Sequence, residues 1–173
     1  MNTTADSLLQ SVTTTAINPA LKLLPSKMDS AAARLLLLAI GLQESGLTAR
    51  RQFGNGPAHG LWQFELGSQA RGGGVWGVFL HDSSREYLRQ LCDARSCAFT
   101  PASIYSVIEI DDVLAAGLAR LLLFTDRAAL PAVGDVGGAW TLYSRRTWVP
   151  GKPHPDKWPD NYARAMRFVQ RGA

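Results

Sequence analysis

Hydrophobic residues recur at helical spacing in several segments of the chain, and polar or glycine-containing stretches separate these segments. In residues 110–126 the apolar and small side chains fall on one helical face, and Asp111 and Asp112 suit the positively polarised start of a helix better than a metal site. The same periodicity predicts helices over residues 29–45, 83–92 and 160–170, with weaker signals over residues 5–12, 101–108 and 134–142. We therefore expect a mainly α fold.

The last of these helices has a recognisable start. Pro159 suits a first helical turn, and the following Asp160 is predicted to cap the helix. Continuing the period from this start predicts a buried stripe of Ala163, Met166 and Val169.

Glycine and proline cluster around residues 54–60, 72–77 and 149–159, which predicts turns and loops there. Residues 60–65 are expected to add a short strand or hairpin. The three glycines at 72–74 predict a flexible loop bordering a cleft; they are not followed by the Lys-Ser/Thr pair of a nucleotide-binding P-loop. A length of 173 residues with 46% hydrophobic and 18% charged residues is typical of one globular domain.

Glu44 lies at the end of a strongly apolar helical run, and Gly46 follows where the helix should stop. The helix dipole disfavours a negative charge at this end. The helical period also places Glu44 on the face of Leu37 and Ile40, which would aim its side chain at the core or a cleft. Both effects should raise its pKa, as a general acid near neutral pH requires. The alternative is a frayed helix end with Glu44 in water.

Residues 54–65 combine a glycine-containing turn with Trp62, Gln63 and Phe64. Aromatic faces can support pyranose rings, and an amide side chain can bond hydroxyl or acetamido groups. The segment could therefore line a sugar-binding groove. The alternative is that the two aromatic rings pack inward, as large aromatic side chains commonly do.

The order of these segments resembles the lysozyme-like superfamily, in particular its soluble lytic transglycosylases, including phage-encoded members. The resemblance is carried by E-S at residues 44–45, G-L-W-Q at 60–63, the small-residue helix at 111–122, A-W-T-L-Y at 139–143 and N-Y-A-R-A-M at 161–166. These matches span roughly residues 30–168. The resemblance implies a single lysozyme-like domain over residues 29–173, with a small β-hairpin or loop region beside the cleft and residues 1–28 as an N-terminal extension packed on it.

The resemblance implies Glu44 as the catalytic acid/base, with Ser45 beside it and Gln63 as a substrate contact. Trp62, Phe64, Thr141 and Tyr162 complete the predicted substrate-binding set, with Tyr162 as a hydroxyl near the glutamate. Two residues depart from the family pattern: Thr141 stands where the family usually has asparagine, and Tyr143 replaces a glycine.

The implied reaction is cleavage of the β-1,4 bond between N-acetylmuramic acid and N-acetylglucosamine in peptidoglycan. Without a second carboxylate, internal attack by the muramic C6 hydroxyl gives a 1,6-anhydro product, the lytic transglycosylase outcome. Glu65 is the nearest candidate for a second carboxylate, so hydrolysis by a muramidase of the same fold is the close alternative. The departures at Thr141 and Tyr143 motivate a third reading, a glycan-binding or virion structural module without activity.

The cysteine and histidine spacings predict neither a metal site nor a cofactor site. Cys92 and Cys97 enclose four residues and could form a small disulfide loop, but two free thiols are favoured because cytosolic disulfides are rare. His59, His81 and His154 are scattered along the chain and show no ligand spacing with the cysteines.

The net charge of +4 is concentrated in the C-terminal part of the chain and would attract an anionic partner. Peptidoglycan glycan strands, with their peptide carboxylates, are the expected partner. Nucleic acid ranks lower, since no recognised binding motif accompanies the aromatic residues Trp148, Trp158, Tyr162 and Phe168. We expect a monomer.

The first residues show neither a basic segment nor a sustained apolar run, so no signal peptide is expected. The densest apolar run, residues 31–42, contains Arg34 and is shorter than the roughly 20 residues that cross a bilayer, so no membrane span is expected. Together with the resemblance, this indicates a phage product held in the host cytoplasm before release to the cell wall, or carried in a virion.

Overall fold

The computed structural model describes residues 3–149 and 152–172, and it is mainly helical, with 63% helix. The α-helices are α1 (Thr3–Val12), α2 (Asn18–Lys22), α3 (Ala31–Ser45), α4 (Gly74–Leu80), α5 (Asp82–Ala94), α6 (Pro101–Val107), α7 (Asp112–Thr125), α8 (Val136–Thr141) and α9 (Trp158–Gln170). π-Helical turns cover Thr13–Ile17 and Leu142–Thr147, and short 3₁₀ turns cover Ser26–Met28 and Phe53–Asn55. The mainly α prediction is confirmed.

Helix α3 lies at the centre of the molecule, where it packs against α9 and α7. Every residue from Leu35 to Leu42 is buried, so this helix is enclosed on all sides over more than two turns. Ser30 caps its start by accepting a hydrogen bond from the amide of Ala33 at 3.1 Å. Helix α7 packs on α5 and α4, and Asp111 caps it by accepting from the amide of Leu114, as the Asp pair predicts.

The N-terminal segment contributes to the same core. Leu9, Ile17 and Met28 are fully buried within it. Arg120 of α7 is also buried, and its Nε donates a 2.7 Å hydrogen bond to the carbonyl oxygen of Met28. These contacts fasten the first helices against α7.

The flexible loop predicted around residues 72–77 and the predicted cap of the last helix both differ from the structure. Residues 74–80 form helix α4 rather than part of a flexible loop, because Val75, Val78 and Phe79 bury one side of this segment. Asp160 lies in the first turn of α9, which begins at Trp158 without a side-chain cap.

The buried face of α9 is also displaced from the prediction. It consists of Trp158, Tyr162, Ala165 and Phe168, whereas Ala163, Met166 and Val169 are only partly buried. Tyr162, Ala165 and Phe168 each lie one residue before the predicted position, so the inward face of the helix is rotated. This face brings the large aromatic rings of α9 into the core, where α9 packs on α3.

Extended residues between α3 and α4 pair only through isolated antiparallel bridges in the described ranges. These bridges join Arg51 to His59, His59 to Phe64 and Ser68 to Gly72. The region predicted to hold a strand or hairpin is therefore a bridged loop. Cys92 and Cys97 are both buried and carry free thiols. No helix in the described part of the chain is long and apolar enough to cross a bilayer.

Candidate active site

The carboxylate of Glu44 is positioned by the end of α3. The helix stops at Ser45 because Gly46 adopts a left-handed conformation with φ of 64°, and the amide of Leu47 turns back to donate to the carbonyl of Gly41 at 3.2 Å. Glu44 thus projects from the last helical turn, as predicted, and is half-buried.

Burial raises the pKa of Glu44 from 4.5 to about 7. A hydrogen bond from the hydroxyl of Tyr143, 2.7 Å from Glu44 Oε1, acts in the opposite direction because it stabilises the carboxylate. Burial outweighs this bond. The predicted rise in pKa is confirmed, and the side chain exchanges its proton close to neutral pH.

Tyr143 is itself held within a cluster of aromatic rings. It stacks parallel on Trp158 with ring centroids 5.2 Å apart, and it contacts Trp140 and Trp148 at 5.6 and 6.3 Å. Tyr143 is 2% exposed, and burial together with the nearby Glu44 charge raises its pKa. Its hydroxyl therefore stays protonated and acts as a donor to Glu44.

Glu44 opens onto a large cleft of about 1550 Å³. One wall is the loop after α3 and the start of α4, where Gly72, Gly73 and Gly74 expose bare backbone. Gly74 has φ of 53°, and a Cβ atom there would overlap the carbonyl oxygen of Glu65. The lining also includes a second wall, made of polar and charged side chains from the segment before α9 and its first turn, namely Lys152, His154, Asp156, Lys157, Asp160 and Asn161.

Gln43, the neighbour of Glu44, fastens this second wall to α3. Its side-chain nitrogen donates to the carbonyl oxygens of Pro153 and His154 at 2.8 and 3.0 Å, and its oxygen accepts from Asn161 at 2.8 Å. This role could not be predicted from local sequence, because the three contacts connect residues more than a hundred positions apart in the chain.

Gln63 lines the cleft, and hydrogen bonds to backbone carbonyls hold its side chain in place. The residue has a positive φ of 50°, and its side-chain nitrogen donates to the carbonyls of Ala49 and Gly60 at 3.2 and 2.9 Å. Among the described residues no donor reaches its side-chain oxygen. That oxygen is therefore the part of Gln63 that is left to accept a hydrogen bond from a ligand.

Ser45 and Phe64 also line the cleft, but they serve the fold as well. The Ser45 hydroxyl donates to the carbonyl of Leu61 at 2.6 Å and accepts from the amide of Leu47 at 3.1 Å, which joins the end of α3 to the loop that carries Gln63. Phe64 is only 2% exposed and packs against Trp148 with ring centroids 5.6 Å apart.

Trp62, Thr141 and Tyr162 are not brought to the cleft lining. Trp62 is fully buried, and its indole nitrogen donates to the carbonyl of Leu37 at 2.8 Å, so its ring offers no face to a ligand here. Thr141 is exposed at the end of α8. The Tyr162 hydroxyl accepts from the amide of Gly134 at 3.0 Å, and the hydroxyl bonded to Glu44 belongs to Tyr143 instead.

Tyr143 thus contacts Glu44 directly, although the motif comparison treats it as a departure. The sequence alone offers one weak signal for this contact, namely that Tyr143 is a tyrosine within a segment expected near the cleft. Glu65 is exposed and lines the same cleft as Glu44. Within the described ranges, no three His, Cys, Asp or Glu side chains lie close enough together to hold a metal ion.

Comparison with known proteins yields no match for this chain among protein-family models, curated proteins or solved structures. The arrangement itself offers a proton donor with a pKa near 7, a neighbouring hydroxyl and a cleft of about 1550 Å³ with amide and charged groups. This combination suits general acid/base chemistry on an extended polar substrate.

Proposed function

We propose that this protein cleaves the β-1,4 bond between N-acetylmuramic acid and N-acetylglucosamine in peptidoglycan by lytic transglycosylation, with Glu44 as general acid and base. The observation that carries the proposal is the Glu44 carboxyl at the end of α3, with a pKa of about 7, held by Tyr143 in a cleft of about 1550 Å³. A cleft of this size accommodates several sugar rings.

In the first step, protonated Glu44 gives its proton to the glycosidic oxygen while the bond from that oxygen to the muramic anomeric carbon breaks. The leaving N-acetylglucosamine then carries the new hydroxyl. The ionised Glu44 accepts a hydrogen bond from Tyr143, which limits the cost of its charge in the buried position.

In the second step, the muramic C6 hydroxyl oxygen bonds to the anomeric carbon, and its proton passes to Glu44. This closes a 1,6-anhydro ring and restores the acid for the next cycle. A pKa near 7 suits both directions of proton transfer, since donor and acceptor forms are both populated near neutral pH.

Hydrolysis is the second candidate, and the observation that favours it is Glu65. This exposed carboxylate lines the same cleft, so it could orient water for attack on the anomeric carbon. The product would then be a reducing muramic acid instead of the anhydro form.

The proposal includes a lysozyme-like domain over residues 29–173, with a bridged loop beside the cleft in place of an extended hairpin and with residues 1–28 as an N-terminal extension. Glycan strands of the cell wall are its proposed partner, reached after release from a host cytoplasm or from a virion. The formal charge of +4 supports attraction to the anionic wall.

The test is digestion of purified peptidoglycan by the parent protein and by Glu44→Gln, with the muropeptides resolved by mass spectrometry. We expect products lighter than the hydrolytic ones by one water, and a loss of at least about a hundredfold in rate for Glu44→Gln. Reducing products that depend on Glu44 would establish the muramidase instead. Equal rates for both proteins would refute the role of Glu44, and binding without release of soluble products would indicate a module that lacks activity.

A further inference from the structure

We propose that Phe53 is a sugar-stacking platform at the rim of the cleft, where it holds a pyranose ring of the glycan strand. This inference rests on the proposed function and adds a substrate contact to it. It also moves the aromatic platform from Trp62 and Phe64, which are buried, to a ring that is open to solvent.

The first observation is the exposure of Phe53. Its side chain is 96% exposed although it lines the same cleft as Glu44 and Gln63. The other aromatic rings of the described cleft lining have little free surface: Phe64 and Tyr143 are each 2% exposed, and Trp148 is half-buried. A single exposed apolar residue is ordinary on a protein surface, but one that lines a cleft is available to a ligand there.

The second observation is that the loop carrying Phe53 is braced at its base. The amide of Gln52 donates to the carbonyl of Ala58 at 3.0 Å, and the Gln52 side-chain oxygen accepts from the amide of Ala58 at 3.3 Å. Arg51 forms a two-bond ion pair with Glu109, at 3.0 and 2.8 Å. The ring is thus presented from an anchored loop, which lowers the entropy lost when a ligand binds.

A third contact holds the far side of this loop, where the hydroxyl of Tyr105 donates to the carbonyl of Pro57. The loop is open at the next residue, since a Cβ atom built on Gly54 would meet no atom within 4 Å apart from those of its two chain neighbours. An incoming sugar ring therefore finds no side chain at position 54 in its way.

The chemistry of the side chain defines what it can recognise. A phenyl ring has no hydrogen-bonding group, so it contributes burial of apolar surface alone and favours the C–H face of a pyranose. Peptide carboxylates gain nothing from such a surface. The ligand class is consequently the glycan strand itself, and the contact should persist with strands that lack their stem peptides.

The test measures binding of a peptide-free oligosaccharide of alternating N-acetylglucosamine and N-acetylmuramic acid by isothermal titration calorimetry. Glu44→Gln serves as the background so that the oligosaccharide is not consumed. In this background we compare Phe53→Ala and Phe53→Trp with Ile110→Ala, a matched control whose side chain is 82% exposed and does not line the cleft.

We expect Phe53→Ala to raise the Kd about three- to tenfold, the effect of covering roughly 30 to 50 Å² of the phenyl surface. Phe53→Trp should keep or improve the affinity, and Ile110→Ala should leave it unchanged. Equal affinity for Phe53→Ala and the background protein would overturn the inference, as would equal weakening by Ile110→Ala or the absence of binding in every variant.

The peptidoglycan digestion described above distinguishes this failure from failure of the proposed function. Cleavage that depends on Glu44, with binding that does not depend on Phe53, would remove only the platform. Binding that depends on Phe53 without any cleavage would leave the platform and remove the proposed reaction.

Discussion

Replacing Glu44 with glutamine should stabilise the folded protein at neutral and alkaline pH. The pKa of Glu44 rises from 4.5 to about 7 on folding because burial disfavours its charge. Since one pKa unit corresponds to about 1.4 kcal/mol, the ionised carboxylate costs the folded state about 3 kcal/mol. Glutamine is nearly the same size, carries no charge and can still accept the hydrogen bond from Tyr143.

The pH window follows from the direction of this shift. Well below pH 4.5 Glu44 is protonated in both the folded and the unfolded chain, and its full contribution to stability is present. As the pH rises from about 4.5 to about 7, the unfolded chain loses this proton while the folded protein keeps it, so the free energy of unfolding falls. Above about pH 7 the folded protein also loses the proton, and the decline ends. Glu44→Gln lacks this pH dependence.

The assay is urea unfolding of the parent and Glu44→Gln at pH 5 and pH 8. The stability difference between the two proteins should grow in favour of Glu44→Gln by about 2 to 3 kcal/mol between these pH values. All other titrating groups are common to both proteins and cancel in this comparison. Glu65→Gln is the control, because that side chain is exposed on the same cleft and a surface substitution usually changes stability by less than about 0.5 kcal/mol. A difference that stays constant with pH would refute the buried, high-pKa carboxyl.

Three further substitutions test the surroundings of this carboxyl. Tyr143→Phe removes the hydroxyl that lowers the pKa of Glu44, so the alkaline limb of a pH–rate profile for peptidoglycan cleavage should move to higher pH; an unchanged limb would mean that the hydrogen bond does not favour the carboxylate. Trp62→Phe should lower the free energy of unfolding by about 1 to 3 kcal/mol, because it removes the hydrogen bond from the indole to a backbone carbonyl of α3 and creates a cavity, while the specific activity of the folded fraction stays at the parent level. Gly74→Ala should lower the free energy of unfolding by at least about 1 kcal/mol more than Gly73→Ala in the same assay. Both positions have positive φ, but of the two only Gly74 lies where a Cβ atom would overlap neighbouring backbone. Equal losses would contradict that close approach.

Local signals were sufficient to predict the position of Glu44. An apolar run that ends at a glycine specifies both a helix and its stop, and Gly46 adopts the left-handed conformation that this role requires. The rise in the pKa of Glu44 also follows from local placement, since the helix period directs the side chain inward. Asp111 likewise caps α7 through a bond that spans three residues. Such features depend on neighbours in sequence, so they can be inferred without the tertiary structure.

Features that depend on distant segments could not be predicted in this way. The three glycines before Val75 indicate a loop, but the apolar residues that follow are buried in the core and form helix α4. The position of Trp62 next to Gln63 suggests an aromatic platform in the cleft, yet its ring is buried and its indole nitrogen donates a hydrogen bond to a carbonyl on α3. Neither the helix at α4 nor the burial of Trp62 can be predicted from its own segment, because each depends on which surfaces of the rest of the fold are available for packing.

Tyr143, which departs from the motif of the proposed family, supplies a contact to Glu44 instead of removing one. Its distance from Glu44 in the sequence is 99 residues, and only the packing of its ring on Trp158 of α9 brings its hydroxyl to the carboxyl. Burial raises the pKa of Glu44 and the Tyr143 bond lowers it, so the value near 7 reflects both effects. In the proposed reaction, an acid that gives and recovers a proton in each cycle needs this balance, since either effect without the other would favour one protonation state too strongly.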